Sequence, residues 1–315
     1  MTIYKSVKEI VGDTPLLKMA GFPLPDGVQL YAKLEFLNPG GSIKDRLGIQ
    51  LIQDALEKDK IKKGGMIIEP TAGNTGIGLA LAALNQDLSV LFCIPEHFSR
   101  EKQSIMKALG ATIIHTPREA GMMGAIEKTN ELLKTIPNSY SPQQFKNPAN
   151  PKTYYKSLAP EIWKDLSGEV DVFVAGAGSG GTFMGTAKYL KEKNPNVKTV
   201  IVEPEGSIIA GGEPGPHRTE GIGMEFLPEF MDRFLIDQVH TISDNDAFRM
   251  VKDLAEKEGL LVGSSSGSAM CAALREAENA KPGTTVVTVL PDGSDRYLSK
   301  HIYEEGEDTC VQKRE

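Results

Sequence analysis

A lysine stands where a glycine-rich loop turns into a helix, in Asn38-Pro39-Gly40-Gly41-Ser42-Ile43-Lys44-Asp45-Arg46. Leu47, Leu51, Ile52, Ala55 and Leu56 follow at helical spacing with charged residues between them, so a helix is expected. Pro39 and the paired glycines oppose an earlier start, and Ser42 is the expected N-cap. Lys44 then falls in the first turn, near free backbone N–H groups and the positive end of the helix dipole. A protonated amine is disfavoured there. Such a lysine can lose its proton and act as a nucleophile or Schiff-base former. The alternative is a surface lysine that happens to begin a helix.

Three further loops could carry chemistry, the first of them being a mere turn on the alternative reading. Met66 to Glu69 reads as a short strand running into Pro70-Thr71-Ala72-Gly73-Asn74-Thr75-Gly76-Ile77-Gly78, with a helix through Leu79 to Leu84. A Gly-rich loop between strand and helix points free N–H groups at an anion, either a phosphate or a substrate carboxylate. Asp171 to Ala175 is a second such strand, followed by Gly176-Ala177-Gly178-Ser179-Gly180-Gly181-Thr182 and a helix to Lys193. Gly176, Gly178 and Gly181 satisfy G-x-G-x-x-G, and Glu203 lies 22 residues past Gly181. That is the fingerprint of a nicotinamide-dinucleotide dehydrogenase, a reading of a different class. The third loop is Gly263-Ser264-Ser265-Ser266-Gly267, whose serines could simply cap a helix over Ala269–Glu276.

Asn38 to Arg46 resembles the pyridoxal-phosphate lysine segment of the cysteine synthase and cystathionine β-synthase family, fold type II. The other motifs fall in that family's order from about Thr14 to about Ser299. The resemblance implies pyridoxal 5'-phosphate on Lys44 and a phosphate cup at Gly178, Ser179, Gly180, Gly181 and Thr182. It implies a substrate-carboxylate loop at Thr71, Ala72, Gly73, Asn74 and Thr75, with Asn74 also bonding the cofactor's phenolic oxygen. Gln144 in Gln143-Gln144-Phe145 would bond the same carboxylate; without the resemblance, Ser141 to Pro151 reads as linker. Ser265 would face the pyridine nitrogen, a neutral partner that favours β-elimination over transamination. Gly221-Ile222-Gly223 would line the entrance, with Glu220 before it as a contact for the amino group of an amino-acid thiol. This sequence departs from most members in having Ala72 where they carry Ser. A dehydrogenase has no use for the Lys44 and Asn74 segments, so their company favours the phosphate-cup reading.

Within the family, Thr71 to Gly76, Leu158-Ala159-Pro160-Glu161, Glu220 and Gly263 to Gly267 lean towards bacterial O-acetylserine-dependent cystathionine β-synthases. The implied reaction is O-acetyl-L-serine plus L-homocysteine giving L-cystathionine and acetate, with cysteine from sulfide as a second activity. Lys44 would remove and return the Cα proton. A plain cysteine synthase is the main alternative, and serine or threonine dehydratase a further one. By family analogy a homodimer is expected, and docking of a serine acetyltransferase tail is conceivable.

The elements that must position these groups read as strand Val28–Leu34, then strand Leu88–Ile94, helix Ser99–Leu109, strand Ala111–His115 and helix Glu119–Leu133. Helix Asn245–Glu258 and strand Thr284–Leu290 close the chain. Alternating β and α elements indicate an α/β fold with open, mostly parallel twisted sheets flanked by helices. The resemblance implies two domains with the cofactor between them. Residues 40–145 would form a smaller, mobile domain, 1–39 and 146–303 a larger one, and 304–315 a loose tail. At 315 residues and 40% hydrophobic, the chain can bury a large core. A net charge of −7 gives no footprint for nucleic acid or an anionic membrane. No apolar run is long enough for a membrane span. Cys93, Cys271 and Cys310 are odd in number and widely spaced, as expected of reduced thiols in the cytoplasm. The five histidines show no metal spacing, and His97 and His115 are expected in surface loops.

Overall fold

A computed structural model describes residues 3–71, 73–96 and 99–304. Ala72, His97, Cys310 and the tail from 305 onward lie outside the described residues. The chain opens with β1 (Leu16–Lys18), β2 (Gln29–Leu34) and α1 (Lys44–Glu57). A first run of alternating elements follows: β3 (Gly65–Pro70), α2 (Asn74–Ala83), β4 (Leu88–Pro95), α3 (Arg100–Ala108), β5 (Thr112–Thr116), α4 (Gly121–Thr135) and β6 (Ser139–Tyr140). After α5 (Ala149–Lys156) and α6 (Leu158–Asp165) come β7 (Val172–Gly176), α7 (Gly181–Lys193), β8 (Lys198–Pro204) and β9 (Gln238–Ile242). Helices α8 (Asp244–Glu258) and α9 (Ser264–Glu278) precede β10 (Thr285–Leu290).

Two sheets result. Four strands in the order β5-β4-β3-β6 are all parallel. Six strands in the order β1-β2-β10-β7-β8-β9 are parallel except for the β1–β2 pair. Every residue of β10 is buried, as its uninterrupted Thr-Val-Val-Thr-Val-Leu composition requires of a parallel strand covered on both faces. The loops that carry chemistry leave the carboxyl ends of β2, β3, β7 and β10, where open α/β sheets form their crevices.

Helices α1 and α2 cross with almost no side chain between them. A methyl group on Gly48 would meet the Gly78 carbonyl, and one on Gly78 would meet the Lys44 carbonyl. This approach sets the Lys44 turn beside the Asn74 turn. The loop before Lys44 is tied to the end of β10 by Ile43 N–H donating to the Pro291 carbonyl at 2.8 Å and by a bridge between Ser42 and Asp292.

The expected elements are present with shifted ends. Helix α2 begins at Asn74 rather than near Leu79, because every residue from Thr75 to Ala83 is buried and glycine is tolerated where helices touch. Helix α9 begins at Ser264, five residues before the expected start, and takes all three serines into its first turn. The expected linker at 147–151 turns into α5. Strands β1, β6 and β9 are edge strands without an apolar run, so the sequence does not announce them.

Candidate active site

Lys44 opens α1 and lines a cavity at the crevice between the sheets. The helix's N-cap position falls on Ile43, yet the Ser42 hydroxyl still accepts the Lys44 N–H at 3.2 Å. The lysine is partly buried and lines this cavity, which desolvates its amine. This desolvation lowers its pKa from 10.5 to about 8, and the nearby Asp292 carboxylate opposes the shift. The surface-lysine alternative is therefore excluded by its surroundings. Asp45 beside it is also buried and accepts the Gly40 N–H at 2.5 Å; burial raises its pKa to about 7.

Asn74, Gly178, Ser179, Gly180, Thr182, Gly221 and Ser265 line the same cavity. The glycine loop is packed tightly enough to need its glycines. A methyl group on Gly178 would meet the Gly221 carbonyl, and one on Gly181 would meet the Asn150 amide. Gly180 has φ +79° and occupies the N-cap of α7, a left-handed conformation that suits glycine. The first-turn N–H groups of α7 have no intrahelical acceptor, and Ser179, Gly180 and Thr182 line the cavity at this helix end. Asn150 Nδ2 donates to Ser179 Oγ at 2.9 Å and to the Gln144 carbonyl at 2.8 Å, fastening the glycine loop to the 141–144 segment. Asn150 was legible only as part of a linker; its role is tertiary.

Glu203 is not placed for a ribose. It is 1% exposed, and its carboxylate accepts from Ile209 N at 2.8 Å, Ala210 N at 3.0 Å and the Thr241 hydroxyl at 3.1 Å. The acidic residue of the dinucleotide fingerprint is thus consumed in holding the following loop. The serine-capping alternative fails as well, since α9 has Gly263 at its N-cap and no side-chain cap bond. Ser264 Oγ instead accepts the Glu220 N–H at 3.0 Å, and Ser265 lines the cavity.

A wider mouth continues from this cavity and is lined by Thr71, Gly73, Thr75, Gln144, Glu220 and Gly221, among others. The Thr75 hydroxyl donates to Gln144 Oε1 at 2.8 Å. Buried Glu69, at the end of β3, accepts from Ser141 Oγ at 2.6 Å and from the N–H groups of Gln143 and Gln144, which places Gln144 at the mouth. Glu220 is held between two lysines: Lys102 of α3 at 2.6 Å, and Lys300. These cations hold its carboxyl below the usual range although burial pushes the other way. Lys102 also lies over the Tyr297 ring, 4.2 Å from its centre. No role was assigned from the sequence to Lys102 or Lys300, and Asp292, Arg296 and Tyr297 were legible only as part of a stretch, Pro291 to Ser299, that resembles the family's closing motif. His115 is exposed on β5 and lines neither space.

A buried amine, a glycine cradle at a helix N-terminus and an adjacent amide fit a phosphorylated pyridine aldehyde bound through the lysine. The chain belongs to the pyridoxal-phosphate-dependent enzymes, whose family model matches residues 7–292. Within that class it is 63% identical over 306 residues to the O-acetylserine-dependent cystathionine β-synthase of Bacillus subtilis, spanning 97% of this chain and 100% of that protein. It is 54% identical over 305 residues to a cysteine synthase of Helicobacter pylori, spanning 96% and 100%. The crystal structure of the O-acetylserine-dependent cystathionine β-synthase from Helicobacter pylori superimposes with a TM-score of 0.92 at 54% identity, covering 96% of this chain and 100% of that one. The substrates are small molecules, and among the described residues no helix is long and apolar enough to cross a membrane.

Proposed function

We propose that this chain makes L-cystathionine and acetate from O-acetyl-L-serine and L-homocysteine, and cysteine from sulfide as a second activity. The observation that carries the choice of thiol is the mixed charge at the mouth, where Glu220 sits between Lys102 and Lys300. Homocysteine brings an ammonium and a carboxylate, and both find a partner there. Sulfide offers neither group.

Lys44 would hold the cofactor, Gly178 to Thr182 would receive its phosphate, Asn74 would meet its phenolic oxygen and Ser265 its ring nitrogen. When bound, the cofactor supplies an electron sink for the carbanion at Cα. The N–H groups at the start of α2, with Thr71, Gly73, Thr75 and Gln144, bind the substrate carboxylate and fix which Cα bond faces Lys44. A lysine whose pKa is lowered to about 8 has a neutral fraction at neutral pH, so it can take the Cα proton and later return it. The C–O bond to acetate then breaks, and the thiolate forms a C–S bond at Cβ. Residues 40–145 would move as a unit against 1–39 and 146–303; the Lys102–Glu220 pair joins these two parts and would exclude water when formed. A homodimer in the cytoplasm completes the proposal. Docking of a serine acetyltransferase tail in the mouth is less favoured, because Ala72 removes a hydroxyl from the carboxylate-binding loop.

A plain cysteine synthase is the second reading, favoured by the name of the 54%-identical relative. The test is a competition assay with O-acetylserine, homocysteine and sulfide together. Cystathionine as the main product supports the proposal, cysteine as the main product supports the second reading, and no product refutes both.

A further inference from the structure

Strand β10 hands the chain to Pro291-Asp292-Gly293. Asp292 is 2% exposed and lines the cavity that holds Lys44. Its Oδ2 accepts from Asn74 Nδ2 at 2.6 Å and from the Tyr297 hydroxyl. Arg296 is 3% exposed, donates Nη1 to Asn74 Oδ1 at 2.6 Å and Nη2 to the Gly40 carbonyl at 3.0 Å. The Asn74 amide is therefore gripped at both ends by groups of opposite requirement. Flipping it would set its NH2 against a guanidinium, which only donates, and its oxygen against a carboxylate, which accepts. Both charge-assisted bonds would be lost.

One Nδ2 hydrogen is used by Asp292, and one remains. The guanidinium on the carbonyl draws electron density from the amide and strengthens that remaining donor. We propose that Asp292 and Arg296 are positioning residues that lock the Asn74 amide in a single orientation, presenting its second N–H to the phenolic oxygen of pyridoxal phosphate. The inference rests on the assignment of Asn74 to that oxygen. Neither residue need touch substrate. The arrangement joins α2 of one sheet to the chain leaving β10 of the other, so the cofactor contact forms only when both are in place.

The test uses holoenzyme and two readouts: the dissociation constant of the cofactor and the position of its visible absorbance band. Asp292→Ala and Arg296→Gln are each made alone and together with Asn74→Ala. Two variants are needed because Asp292 also faces Lys44, whereas Arg296 reaches Asn74 without acting on the lysine. Each single variant should weaken cofactor retention by about tenfold and shift the band, as expected when one buried charge-assisted bond is lost. In the Asn74→Ala background, Arg296→Gln should add less than about twofold, because the residue it serves is gone. An equal loss in both backgrounds would overturn the positioning role and leave a packing role. An Asn74→Ala enzyme with unchanged retention and band would instead show that the Asn74 assignment itself is wrong.

Discussion

Replacing Lys44 by methionine should make the cofactor-free protein more stable while abolishing turnover. Methionine nearly matches lysine in length but carries no charge into the cavity. Burial lowers the Lys44 pKa from 10.5 to about 8. At about 1.4 kcal/mol per pH unit, that gap corresponds to about 3 kcal/mol. Water in the cavity screens part of it, so a gain of about 2 to 3 kcal/mol is expected at pH 7. The sign follows from proton binding. Below pH 8 folded and unfolded lysines are both protonated, and the folded state carries the full penalty. Between about 8 and 10.5 the unfolded state binds more protons, so wild-type stability from this group rises with pH. Above 10.5 the penalty is gone. The advantage of Lys44→Met should thus be full at pH 7 and vanish near pH 10.5. Urea unfolding of both proteins without cofactor at a series of pH values measures it, with titrating groups that do not interact with Lys44 cancelling in the difference. No gain at pH 7 would refute the desolvation account. A gain that stays constant from pH 7 to 10.5 would assign it to methionine packing instead.

Glu220→Gln should raise KM for homocysteine about tenfold and leave the sulfide reaction within about twofold, measured by steady-state kinetics with each thiol; equal effects on both would reduce Glu220 to a structural role. Gly181→Ala should weaken cofactor retention, because its methyl group would meet the Asn150 amide that fastens the cup; equilibrium dialysis against free cofactor checks it, and unchanged retention would remove the glycine requirement. Gly48→Ala should lower stability by about 1 to 3 kcal/mol, since the methyl group would meet the Gly78 backbone rather than a movable side chain; urea unfolding at constant m reads the loss.

The alternation of apolar runs with glycine loops made the α/β architecture legible, because buried parallel strands such as β7 and β10 have nowhere to place charged residues. Lys44, Asn74 and Gly178–Thr182 stood out because each sits at a loop-to-helix junction, while the cofactor roles proposed for Asn74 and Gly178–Thr182 came from the family resemblance and not from local chemistry. Asp292, Arg296 and Tyr297 stood out only as part of a family-like closing motif and Lys102 not at all, since their roles depend on contacts such as the one between Asn74 and Arg296, 222 residues apart. Glu203 shows the opposite error. Its spacing matched a dinucleotide site, yet only tertiary structure reveals that its oxygens are occupied by the loop at Ile209 and Ala210. Glu220 was legible as a carboxylate at the entrance, but its two lysine partners come from segments far away in sequence.

Borohydride reduction of the holoenzyme, followed by peptide mapping, tests most directly whether Lys44 is the centre of the chemistry. The account predicts a phosphopyridoxyl group on the peptide containing Lys44 and on no other lysine, with the visible absorbance lost on reduction. The label on another lysine, or no label on a coloured protein, would contradict it.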